Sequence, residues 1–112
     1  MKMSEVWGID ISDDVPSTRI PFYFTDHYGD VGVTAGEAVL VVHLLQYEQL
    51  GNTSPSLVEI AGKMRTSTRT LYRACKSLED KGLLVVTRRS GYESTYSIAP
   101  LMEKCLALSE GV

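Results

Sequence analysis

Cysteine is scarce in this sequence: Cys75 and Cys105 are its two, and they stand far apart in the chain. That excludes a disulfide framework and the paired CxxC of a metal or redox site, so both thiols read as core residues of a reducing compartment. Long apolar runs are missing as well. The longest, residues 38–45, is broken by His43 and falls well short of the roughly 20 residues that cross a bilayer. The opening MKMSEVWGID carries acidic residues where a secretory signal needs a basic start and an apolar stretch, so a cytoplasmic location is expected. Catalytic signatures are lacking too. There is no phosphate-binding glycine loop, no nucleophile elbow, no HExxH and no spaced carboxylate set with a partner base. An enzyme is therefore not expected, and no cofactor or metal is implied.

What is present suits one domain. Apolar residues make up 44% of 112, enough for a single core without staples. A net charge of -3 argues at first against a nucleic-acid partner, but the average hides a segregation. Between Lys63 and Arg89 stand eight cations, Lys63, Arg65, Arg69, Arg73, Lys76, Lys81, Arg88 and Arg89, against Glu79 and Asp80 alone, a net of +6. The remainder holds three basic and twelve acidic residues, a net of -9. A basic binding face on an acidic body has this distribution.

Local patterns divide the chain into an extension, residues 1–18, and a mainly helical domain with one small β-hairpin over residues 19–109. In the extension, Val6, Trp7, Ile9 and Ile11 read as a strand laid across the domain. Pro21 opens a short aromatic helix that ends before Asp30. Thr34 with Glu37 forms a capping box ahead of AVLVVHLLQY, so residues 34–50 form a helix that is apolar on nearly every side, the buried spine. Ser54 reads as the cap and Pro55 as the first residue of a helix reaching Met64. Ser67 caps the next, over residues 67–81, with Gly82 as its stop. LLVVTRR and STYSIA, separated by Ser90, Gly91, Tyr92 and Glu93, make the hairpin over residues 83–99. Pro100 then opens a last helix, residues 100–109, with an apolar stripe of Leu101, Met102, Cys105, Leu106 and Leu108.

At about 100° per residue, Leu71, Ala74, Cys75 and Leu78 of the 67–81 helix share one arc and face the core. Arg69, Arg73 and Lys76 share the opposite arc, with Tyr72 beside them. Duplex DNA presents closely spaced phosphates and a major groove wide enough for one helix, so guanidinium donors on such a face suit it chemically. Thr66, Ser67, Thr68 and Thr70 sit at the helix start, where hydroxyls and free amides meet phosphate or bases.

The stretch IAGKMRTSTRTLYRACKSLEDKGLLVV resembles the helix-turn-helix core of bacterial winged-helix proteins. Ile60 and Ala61 match the apolar pair of its first helix, Met64 the apolar residue before the turn and Ser67 the capping serine. Thr70, Leu71, Leu78, Gly82 and Leu84 match its threonine, two core positions, helix-ending glycine and first wing strand. The aromatic start, buried spine and SPSLVEIA entry are similar to the helix-turn-helix domains of plasmid and phage replication initiators and DnaD-type proteins, with MarR-type transcriptional regulators nearly as similar. The resemblance implies a winged helix-turn-helix fold, its motif over residues 55–82 and its wing over 83–99. It also implies duplex DNA as partner, for transcriptional regulation or replication initiation. The residues expected on DNA are Arg65, Thr66, Ser67, Thr68, Arg69, Thr70, Tyr72, Arg73 and Lys76, joined by Arg88, Arg89 and Tyr92 of the wing. Alternation along a strand sends Arg88 and Arg89 to opposite faces, so one of the two is expected on DNA. Two departures stand out. Arg65 occupies a turn position usually held by glycine, which implies strain or a differently built turn, and Cys75 replaces a leucine.

The same residues fit other readings. A winged helix also serves as a protein-interaction module without DNA, for instance docking a replisome or regulatory protein. His27 and His43 invite a metal or acid-base reading, but His43 sits among core residues and reads as packed. The C-terminal stripe reads either as a face folded back on the chain's own spine or, the reading favoured because many helix-turn-helix proteins pair on two-fold sites, as a homodimer seam.

Overall fold

The computed structural model describes residues 2–10, 15–91 and 93–111. Six helices and two strands follow in the order α1 (Met3–Trp7), α2 (Phe22–His27), α3 (Ala35–Gln49), α4 (Leu57–Met64), α5 (Thr68–Asp80), β1 (Val85–Thr87), β2 (Thr95–Ser97) and α6 (Ala99–Ser109). The fold is mainly helical with a two-stranded antiparallel sheet, as a winged helix-turn-helix requires.

The extension departs from expectation. Val6 and Trp7 belong to α1, a five-residue helix closed by Gly8 at φ 67, ψ 26, and not to a strand. An extended segment here would lack a ladder partner, whereas one helical turn satisfies its own amides, as in the Gly8 N–H donating to the Ser4 carbonyl at 3.0 Å. Val6, Trp7 and Ile9 stay exposed. Ile11 lies outside the described residues.

Helix α3 is the spine. Thr34 Oγ1 accepts the Glu37 amide at 3.2 Å while Glu37 Oε1 accepts the Thr34 amide at 2.9 Å, a complete capping box. Leu40, Val41, Leu44 and Leu45 are buried against α2, α4, α5 and α6 core residues including Phe24, Ile60, Leu71, Leu78, Leu101 and Cys105. Both cysteines are free and buried, Cys105 completely.

The next helix starts two residues later than its sequence signals suggest. Asn52 Oδ1 accepts the Ser54 amide at 2.9 Å and holds a turn there, so Ser54 is not the cap. Pro55 is buried ahead of the helix, and Ser56 caps α4, its Oγ accepting the Glu59 amide at 3.1 Å.

Helix α5 lies across α3 and α4. Ser67 caps it, accepting the Thr70 amide at 3.0 Å. Its end is a Schellman motif: Gly82, at φ 72, donates to Glu79 and Leu83 donates to Leu78, each at 2.9 Å, with Leu78 and Leu83 both buried. Leu83 and Leu84 then drop into the core, which leaves only three residues for β1, paired so that Val86 faces Tyr96. Tyr96 donates its amide to the Thr53 carbonyl at 2.9 Å, tying the wing to the α3–α4 connection.

Helix α6 folds back on its own chain. It packs on α2 and buries Leu101 and Cys105 there, while Leu106 and Leu108 remain at the outer edge, each 41% exposed. Of the five stripe residues, Leu101 and Cys105 are thus buried within the chain and Met102 is half-buried against the core, which leaves Leu106 and Leu108 exposed.

Candidate nucleic-acid interface

Helices α4 and α5 are joined by a turn of three residues, Arg65, Thr66 and Ser67, that sets their relative angle. Arg65 closes α4 in the left-handed region at φ 54, ψ 45, and among the described residues no other non-glycine has positive φ. Its amide reaches Gly62 at 3.3 Å and that of Thr66 reaches Ala61 at 3.0 Å, so the turn is the same Schellman device that glycine builds elsewhere in this chain. A Cβ in that conformation costs roughly 1–2 kcal/mol. The strained alternative, and not a rebuilt turn, is the one the structure takes.

The expected face is assembled in part. Arg65, Arg69 and Arg73 are exposed, spaced four residues apart from the turn into α5. Among the described residues none of the three pairs with a carboxylate. Ser67 and Thr70 are exposed, but their hydroxyls meet each other at 2.8 Å. Thr66 and Thr70 line a 290 Å³ crevice with Thr34, Gly36 and Met64, and Thr68 is half-buried. Tyr72 is 56% exposed and lines a 320 Å³ cleft running from Ser54 and Ser56 to Glu93, Ser94 and Tyr96 of the wing.

The remaining cations of the basic segment have other duties. Lys63 lies 3.4 Å from Glu59 and 5.9 Å from the Tyr47 ring centre. Lys76 pairs with Asp80 at 3.0 Å. Lys81 turns inward, donating to Glu37 Oε1 at 2.9 Å and to the Gly32 carbonyl at 2.7 Å. Arg88 pairs with Glu79 through both nitrogens, each at 3.1 Å. Arg89 is exposed, and Tyr92 lies outside the described residues.

Two acidic residues missed as functional groups organise these pairs. Glu37 is 6% exposed. Burial by itself would raise its pKa, but the Thr34 amide, the Lys81 ammonium and the Ser77 hydroxyl outweigh it and hold the carboxyl below its usual value. Its partner is 44 positions away, which no local pattern reveals. Glu79 has its pKa lowered by the Arg88 hydrogen bonds, against a smaller desolvation effect. Beneath this pair, burial and then Glu79 push the Cys75 thiol up to about 11, so it stays protonated and inert at neutral pH.

The histidines sit apart from this face. His27 Nδ1 lies 2.9 Å from Asp30 Oδ2. His43 has a buried Nδ1 with no partner among the described residues, and burial followed by Lys63 keeps its pKa low. No cluster of three metal-ligating side chains occurs among the described residues.

A 350 Å³ apolar groove, to which neither α4 nor α5 contributes, is lined by Leu45, Ile98 and Met102 together with Arg19, Glu48 and Glu103. Gln49 fixes one wall, its Oε1 accepting the Arg19 amide at 2.9 Å and its Nε2 donating to the Arg19 carbonyl at 2.7 Å.

Comparison with known proteins agrees with this architecture. The sequence profile of the DnaD N-terminal domain matches residues 20–111. The crystal structure of the N-terminal domain of DnaD protein from Geobacillus kaustophilus HTA426 superposes with a TM-score of 0.66 at 25% identity, over 86% of this chain and 87% of that one. No curated protein sequence matches.

Proposed function

The chain belongs to the DnaD N-terminal domain family, a replication-initiation domain, and from that membership and the bare arginines of α5 we propose that it binds duplex DNA during replication initiation. The carrying observation is Arg65 in the turn and Arg69 and Arg73 on α5, three exposed guanidinium groups without carboxylate partners among the described residues. Helix α5 enters the major groove by its N-terminal half, where these arginines reach base edges and phosphates and where unpaired helix amides favour an anion. Its C-terminal half carries Glu79 and Asp80, which phosphates would repel. Tyr72 and the cleft beside the wing then face the flanking backbone. The test is a fluorescence-anisotropy titration with a random-sequence duplex at several salt concentrations. Affinity that falls linearly on a log–log plot, with a slope of about -0.9 for each phosphate neutralised, supports the reading. Absence of binding at low salt would sink it.

A protein-docking role rests on a different observation, the apolar groove beside α6, near which Phe22 stands 85% exposed. It is compatible with DNA binding because α5 contributes no residue to the groove. Copurification of a stoichiometric protein partner without nucleic acid would favour it. Self-association through α6 would have only Met102, Leu106 and Leu108 to use, since Leu101 and Cys105 are already buried.

A further inference from the structure

Glu79 stands where helix energetics disfavour it. It lies in the last turn of α5 with Asp80 beside it and no basic residue in that turn. The carbonyl end of a helix carries partial negative charge, so a carboxylate there is destabilised by the macrodipole. Asp80 is answered by Lys76 from within the helix, and Lys81 is drawn away to Glu37. Glu79 is answered from outside, by Arg88 at the end of β1. The bond is two-pointed, Nη1 to Oε1 and Nη2 to Oε2, both 3.1 Å. Guanidinium uses this same fork geometry on a phosphate. The carboxylate is the seated member of the pair, with its side chain 21% exposed against 64% for Arg88.

Resting on the DNA-binding reading, we infer that Glu79 serves as an internal stand-in for phosphate: it fixes the wing to α5 through Arg88 and withholds that arginine from DNA. Sequence-independent affinity rises with every cation placed on the backbone, whereas discrimination depends on the ratio of specific to non-specific binding. Occupying Arg88 internally lowers the first without touching the base contacts of α5. Glu79 is in this sense a specificity-determining, positioning residue.

The experiment compares salt slopes on a random-sequence duplex for the unaltered chain, Glu79→Gln, Arg88→Gln and the double variant, all at exposed or half-exposed positions that leave the core intact. Glu79→Gln is expected to steepen the slope by about 0.9 and to tighten binding about three- to tenfold at low salt, as one more phosphate contact would. Arg88→Gln is expected to leave the slope unchanged, and the double variant to return to it. A slope flattened by about 0.9 in Arg88→Gln would show that Arg88 already touches phosphate, overturning the inference. A gain in Glu79→Gln that persists in the double variant would overturn it too, as general charge removal. Lack of salt-dependent binding by the unaltered chain removes the DNA reading itself, and the inference with it.

Discussion

The stretch that runs from the α4–α5 turn into α5 and the stretch that closes α5 carry similar numbers of charges and do opposite things with them. From Arg65 to Arg73 the cations have no carboxylate partners among the described residues and project outward. From Lys76 to Lys81 each charge is answered inside the protein: Lys76 by Asp80, Glu79 by Arg88 and Lys81 by Glu37. One stretch leaves its cations exposed and without carboxylate partners among the described residues, and the other joins the helix to the spine and the wing. A basic segment on paper is therefore about half a basic surface in space.

The largest effect that separates the two stretches is expected from Arg69→Ala combined with Arg73→Ala. Loss of two base contacts at about 1–3 kcal/mol each should weaken binding to a preferred duplex by about 30-fold or more while leaving the urea midpoint nearly unchanged. Lys81→Met should do the reverse. It leaves Glu37 buried without its cation; discounted for the 34% exposure of the Lys81 side chain, the cost in stability is about 1–3 kcal/mol. The affinity of the folded protein should hold within about twofold, read by urea denaturation and anisotropy on the same sample.

Acid sharpens the contrast further. Because the Glu37 pKa is lower folded than unfolded, its contribution is fully present above the unfolded value of about 4.3 and is lost as pH falls through the folded value. Glu37→Gln should flatten the loss of stability in that window, and an unaltered pH profile would show that the bridge carries no stability. The smallest effect is at the junction. Arg65→Gly relieves the left-handed strain and should gain about 0.5–1 kcal/mol of stability despite the added chain entropy of glycine. It should also flatten the salt slope by about 0.9 if Arg65 meets a phosphate.

What was legible in the sequence was local. The Thr34–Glu37 box, the Ser67 cap, the Gly82 stop and the arc of Leu71, Ala74, Cys75 and Leu78 each depend on residues within one or two turns, and each is found in place, with Ala74 half-buried at the edge of the arc. Ser54 and Pro55 signal the start of α4 two residues early because the Asn52 side chain claims the Ser54 amide and holds a turn there. In the extension Val6, Trp7 and Ile9 favour a strand, but no ladder partner is present among the described residues. The duties of Lys81 and Arg88 were hidden for a related reason. Charge counting treats them like Arg69, and only the fold brings Glu37 and Glu79 to them.

The most direct test is to map amide chemical-shift changes by NMR as a duplex is added at low salt. Shifts concentrated on residues 65–73, and fading before Lys76, are the predicted result. Shifts centred on Leu106 and the groove of Leu45, Ile98 and Met102, with α5 silent, would contradict the account and make that groove the binding surface.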